Sequence, residues 1–286
     1  LQCLMQSSFS VVDQIMTGQL GSISIAGIGL GGKGAAWASV IAQLPGCIIT
    51  VILFFHLYQK HSWKIPFVIR TDKVHIKQYM VILMPLLICE FFWSLGENIY
   101  ASIYGHVGTN AFAAMTLTNP LQALVMGALS GVSQAAGVMI GKRLGADDAR
   151  SAYQDAKRLM YTGLICSMVL SVLVVVLNRY YVLIFHVEDD VRQMTRYVLM
   201  AYALVAPVKV QNMILGGILR SGGKTTVVMF IDMIGTWIFG VPLGLLTAFV
   251  FHLPIAAVYF ALSMEECIRV IISLVIFRKK KWMQTL

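Results

Sequence analysis

Long apolar runs broken only by short polar linkers leave this chain few ways to fold. They fall at roughly 1–20, 34–58, 78–104, 111–141, 159–183, 193–219, 225–251 and 253–277. Each reaches the ~20 residues that carry a helix across a bilayer core. In lipid an α-helix pairs its own backbone polar groups, so eight such segments predict an all-α polytopic membrane protein with about eight transmembrane helices. Only 12% of the 286 residues are charged and 58% are hydrophobic. Soluble domains carry about 25% charged residues, so that class is excluded. The first run does not read as a signal peptide, because it has no basic leading region and Asp13 interrupts it.

The net charge of +9 would point to nucleic acid on a soluble protein. Here its placement gives a different reading, with the bilayer as partner and no nucleic acid. Sixteen Lys and Arg fall in the linkers on one side of the spans (60–77, 142–158, 220–224 and 278–281), against three on the other: Arg179, Arg192 and Arg196. The positive-inside rule puts the 59–77 linker and the C-terminus in the cytoplasm of a multi-pass cell-membrane protein. Trp63, Tyr79 and Trp282 flank the basic clusters, where interfacial aromatics belong.

Five cysteines lie singly in apolar runs, without metal spacing, and read with the sixteen Met residues as packing groups. No metal or cofactor is expected. "GIGLGG" (27–32) fits a dinucleotide fingerprint but follows no strand, and "GGILRSGGKT" (216–225) has Ile218 where a phosphate loop needs its first Gly. The latter reads as a short turn. "LGADDAR" (144–150) reads as a helix stop at Gly145 and a new start capped by Asp147. His106 and His252 read as isolated loop histidines.

An internal repeat runs through these segments. "LGSISIAGIGL" (20–30) matches "VGTNAFAAMTL" (107–117), and "AAWASVIAQLPGCIITVI" (35–52) matches "IAAVYFALSMEECIRVII" (255–272). The offset jumps from 87 to 220 between residues 30 and 35. Two tandem halves would keep one offset, so the first half is short by several helices at a seam near 33–34. The expected organisation is a partial first lobe over 1–58, a basic linker over 59–77, and a complete six-helix second lobe over 78–286.

The motifs "VDQIMTGQLG" (12–21), "EFFWSLGENIYASIYGHVGTNAFAA" (90–114), "GKRLGADDARSAYQDAKR" (141–158), "GGILRSGGKT" (216–225) and "GTWIFGVPLG" (235–244) occur in that order. Through them the sequence resembles the multidrug and toxic compound extrusion (MATE) family of cation-coupled efflux transporters. The resemblance implies a MATE-like helical bundle of two six-helix lobes, so about four helices of the first lobe are missing. It also implies exchange of protons or sodium ions for small organic cations, with no cofactor and no enzymatic activity.

Ionisable residues deep in a membrane are costly and mark function by default. Asp13 aligns with the family's first-helix aspartate, so the resemblance gives it ion coupling. Glu90, Trp93 and Glu97 lie at i, i+3 and i+7, one helical face. Two carboxylates flanking an indole suit a lipophilic cation by charge and by cation–π attraction. Where one branch of the family carries its second-lobe carboxylates, this chain has Trp93 and Lys209. Lys209 follows Pro207 and is a candidate partner for Glu90 or Glu97, completing the substrate and ion pathway. Glu265 and Arg269, at i and i+4, read as a structural ion pair. Asp232 reads as interfacial. The leading reading is an alternating-access antiporter for amphipathic drugs; the alternatives are a non-transporting remnant or partner subunit, and a lipid-linked oligosaccharide flippase. A flippase would line its cleft with several Arg or Lys for pyrophosphate.

Overall fold

The computed structural model describes residues 73–185, 187–280 and 282–283. Asp13, the first repeat and the seam lie outside these. The described residues form six helices: α1 (Lys73–Val107), α2 (Thr109–Gly145), α3 (Ala149–Leu183), α4 (Asp189–Ser221), α5 (Thr225–Val250) and α6 (Ile255–Arg278). Four of them, α2 to α5, are long and apolar enough to cross a membrane by length and composition. In α6 three charged residues, Glu265, Glu266 and Arg269, interrupt an otherwise apolar helix.

The helices overrun the apolar segments at several ends. α3 begins at Ala149, ten residues ahead of its apolar run. α2 has 37 residues, about 55 Å at 1.5 Å each, against a hydrocarbon core of about 30 Å. Hydropathy marks the part in lipid, and polar turns continue the helix into the headgroups and water.

The 144–150 junction follows the expected stop at Gly145, with one correction. Asp147 takes the left-handed conformation at φ 58°, which Asp tolerates. The cap is Asp148, whose carboxylate accepts a hydrogen bond from the Ser151 amide at 3.1 Å. The expected turn after α4 closes through Gly223 at φ 75°, with the Lys224 amide donating to the Leu219 carbonyl at 3.0 Å.

α4 is the centre of the bundle, packing on α2, α3 and α6. Tyr202, Ile214, Leu215, Ile218 and Leu219 are fully buried on it. α3 is peripheral: Ile165, Met168, Val169, Val172 and Val176 are exposed along it, the composition of a face toward acyl chains. Trp282 is no interfacial anchor. It is fully buried, stacked on Phe277 at 5.5 Å, with its indole N–H donating to the Phe277 carbonyl at 3.0 Å. His106 sits in the last turn of α1, stacked on Phe249 at 3.8 Å.

Candidate functional site

Two faces of α1 separate the site into a buried charged core and an exposed acidic surface. Cys89, Gly96, Tyr100 and Ile103 recur at helical spacing and are buried. Glu90, Trp93 and Glu97 are exposed on the helix, Trp93 by 52%. Neither Glu90 nor Glu97 makes an ion pair among the described residues.

Behind the buried face of α1 lies the charged core. The Arg269 guanidinium donates to Glu265 at 3.0 Å and to the Thr236 hydroxyl at 2.5 Å. It also meets Glu266 at 3.6 Å and Asp232 at 3.9 Å. The Tyr100 hydroxyl donates to Glu265, the Asn212 amide to Glu266 at 2.8 Å, and the Cys89 thiol to Asp232 at 3.4 Å. Arg220, at the basic end of α4, reaches Asp232 at 3.6 Å. Four helices therefore contribute to the cluster: α5 and α6 touch the guanidinium, and α1 and α4 reach the carboxylates around it. Buried ions are tolerated when paired and hydrogen-bonded, and each group here has at least one partner. Asp232, one turn before Thr236, thus lies between Arg269 of α6 and Arg220 at the basic end of α4.

Backbone geometry makes room for this core. α5 holds two π-helical stretches, Ile234–Gly240 and Leu246–Val250, wider turns common at functional sites. A β-carbon at Gly235 would collide with the Arg269 side chain, and one at Gly240 with Tyr100 and Glu265. The glycines of "GTWIFGVPLG" let the α5 backbone lie against charged groups.

Lys209 does not meet Glu90 or Glu97. Its ammonium donates to the Tyr259 hydroxyl at 3.3 Å and lies 5.3 Å from that ring's centre. Tyr259 in turn donates to Gln122 at 3.1 Å, and the Tyr202 hydroxyl reaches the Gln122 carbonyl at 3.4 Å. The reason is placement: α4 packs on α6 and not closely on α1, so an aromatic hydroxyl of α6 is the partner within reach. Glu265 and Arg269 do meet. The sequence reading missed Glu266, Asn212, Thr236, Tyr100 and Cys89 as their neighbours. Spacing held part of the signal, since Glu266 precedes Arg269 by three residues and Asp232 precedes Thr236 by four.

Among the described residues no group of His, Cys, Asp and Glu is arranged to hold a metal ion. The arrangement is that of a helical bundle with a buried charged cluster and an acidic, aromatic face on α1. The MatE family model matches residues 85–246, and the chain belongs to that family of transporters. It is 22% identical over 256 residues to the uncharacterized transporter YisQ of Bacillus subtilis, covering 89% of this chain and 56% of that one. It is 25% identical over 278 residues to multidrug and toxin extrusion protein 2 of Oryctolagus cuniculus, covering 90% and 42%. The fold is shared with the Vibrio cholerae MATE transporter VcmN in its bent form, at a TM-score of 0.71 and 18% identity over 86% of this chain and 55% of that one. It is shared too with the MATE transporter ClbM in complex with Rb+, at 0.70 and 20% over 94% and 61%. The chain thus spans about half the length of the curated relatives it matches.

Proposed function

We propose that the chain belongs to a cation-coupled antiporter that exports amphipathic organic cations across the cell membrane by alternating access. Residues 78–286 form its six-helix second lobe, 1–58 a partial first lobe, and 59–77 a basic cytoplasmic linker. Asp13 takes up the coupling proton or sodium ion. Glu90, Trp93 and Glu97 receive the cargo, with Lys209 beside the route, while Glu265 and Arg269 hold the lobe together.

The observation that carries this reading is the exposed acidic face of α1. Two carboxylates that make no ion pair among the described residues flank an indole on a helix otherwise rich in Leu, Ile and Phe. Such a face attracts a lipophilic cation by charge, and the indole adds cation–π attraction once water is displaced. The multidrug and toxin extrusion named in the rabbit relative agrees with export of an organic cargo, and the Rb+ in complex with ClbM agrees with a monovalent coupling ion. The test is efflux of a fluorescent organic cation from liposomes holding the purified chain, under an imposed pH or sodium gradient. Gradient-driven exchange that collapses with an ionophore is the expected result. A folded chain that exchanges nothing under either gradient overturns the proposal.

A further inference from the structure

Away from the acidic face of α1, α3 and α6 both pack on α4 and leave a groove of about 380 Å³ between them. Its floor is Gln211 and Leu215 of α4, and its walls include Leu164 of α3 and Leu274 of α6. Lys157 and Arg278 stand at its mouth. Both are exposed, and neither makes an ion pair among the described residues. A third cation, Lys280, lies 4.9 Å from the centre of the Tyr153 ring, as does Lys157, and that ring stacks on Phe277 at 5.0 Å. Among the described residues no acidic side chain lines the groove.

We infer that this groove binds an anionic phospholipid of the leaflet at the basic end of the bundle. Its phosphate would sit between Lys157 and Arg278, and an acyl chain would lie against Leu164 and Leu274. Three features select that ligand. The wall formed by α3 is lipid-facing, with Tyr161 and Ile165 exposed beside the groove, so a lipid enters sideways. Basic pockets between helices at this depth suit anionic headgroups. Unpaired cations at the mouth repel the organic cations proposed as cargo and leave that site to α1.

Native mass spectrometry of the purified chain in detergent, with added phosphatidylglycerol, phosphatidylcholine or inorganic phosphate, tests the inference. Phosphatidylglycerol adducts that survive detergent exchange are expected, with weak phosphatidylcholine adducts and none with phosphate. The Lys157→Gln/Arg278→Gln pair should lower phosphatidylglycerol affinity roughly tenfold or more. A Lys142→Gln/Arg150→Gln pair, equal in charge at the same end but outside the groove, should bind as before. Should the first pair misfold by circular dichroism, Lys157→Gln alone gives the same comparison. Equal loss in both pairs, equal binding of phosphatidylcholine, or equal occupancy by phosphate alone would each overturn the site.

Discussion

The Arg269 guanidinium lies 3.9 Å from the Asp232 carboxylate, across the contact between α6 and α5. The same guanidinium pairs with Glu265 and Glu266 on its own helix. Removing it leaves Glu265 and Glu266 without a cation, while Asp232 keeps Arg220 at 3.6 Å. Breaking one side of a buried pair costs about 3–5 kcal/mol, because the partner keeps its desolvation cost. Arg269→Met is therefore expected to lower the thermal unfolding temperature sharply in detergent. Arg269→Met together with Glu265→Gln should recover part of the loss, and a melt unchanged by Arg269→Met would deny the core its structural role.

Close helix approach gives a second prediction. Gly240→Ala places a methyl against Tyr100 and Glu265, groups already fixed by their hydrogen bond. Overpacking of this kind costs roughly 1–3 kcal/mol. Gly131→Ala, on α2 with nothing within 4 Å of the added carbon, should instead leave stability unchanged or raise it slightly. Paired melting curves decide the matter; equal curves would remove the packing argument.

Outside the membrane, hydrogen bonds from Ser151, with Arg143 nearby, hold the Asp148 carboxyl below its usual range. A depressed value stabilises the fold fully above the unfolded pKa, ~3.9 for Asp, and the gain is lost as pH falls through the folded value. Asp148→Ala should thus melt lower than the native chain at neutral pH. The gap should narrow in acid, and a gap constant down to the folded pKa and below would show that the cap acts without its charge.

Trp93 separates cargo recognition from folding. Its ring is half exposed, so Trp93→Ala should leave the melt in place. Loss of one cation–π contact weakens binding by about 0.5–2 kcal/mol, roughly a two- to thirtyfold rise in Kd for tetraphenylphosphonium. Trp93→Phe should fall between. Unaltered affinity in Trp93→Ala would move the cargo off this face.

The class of fold was legible because lipid imposes it: runs of ~20 apolar residues have few other outcomes. The stop at Gly145 and the turn at 222–223 were legible from glycine chemistry alone. Local spacing put Glu265 and Arg269 on one face, yet it said nothing of Asp232, Tyr100 and Asn212, which arrive from three other helices. Lys209 misled for the same reason. A deep lysine seeks an acceptor, and which acceptor it meets depends on helix neighbours that a one-dimensional pattern does not contain. Trp282 beside a basic cluster resembles an interfacial anchor in sequence, but its ring stacks inward on Phe277, leaving Lys279 and Lys280 to face water.

Whether the acidic face of α1 meets water within the membrane can be measured directly. In a background with the five native cysteines replaced, Glu90→Cys, Trp93→Cys and Glu97→Cys are compared with Val169→Cys and Val172→Cys on the outer face of α3. Reconstituted protein is treated with a membrane-impermeant, water-borne thiol reagent. Labelling at 90, 93 and 97, slowed by tetraphenylphosphonium, beside silent positions 169 and 172, is the predicted result. Silence at all five, with full labelling only after detergent is added, would place those α1 side chains against acyl tails and contradict the account.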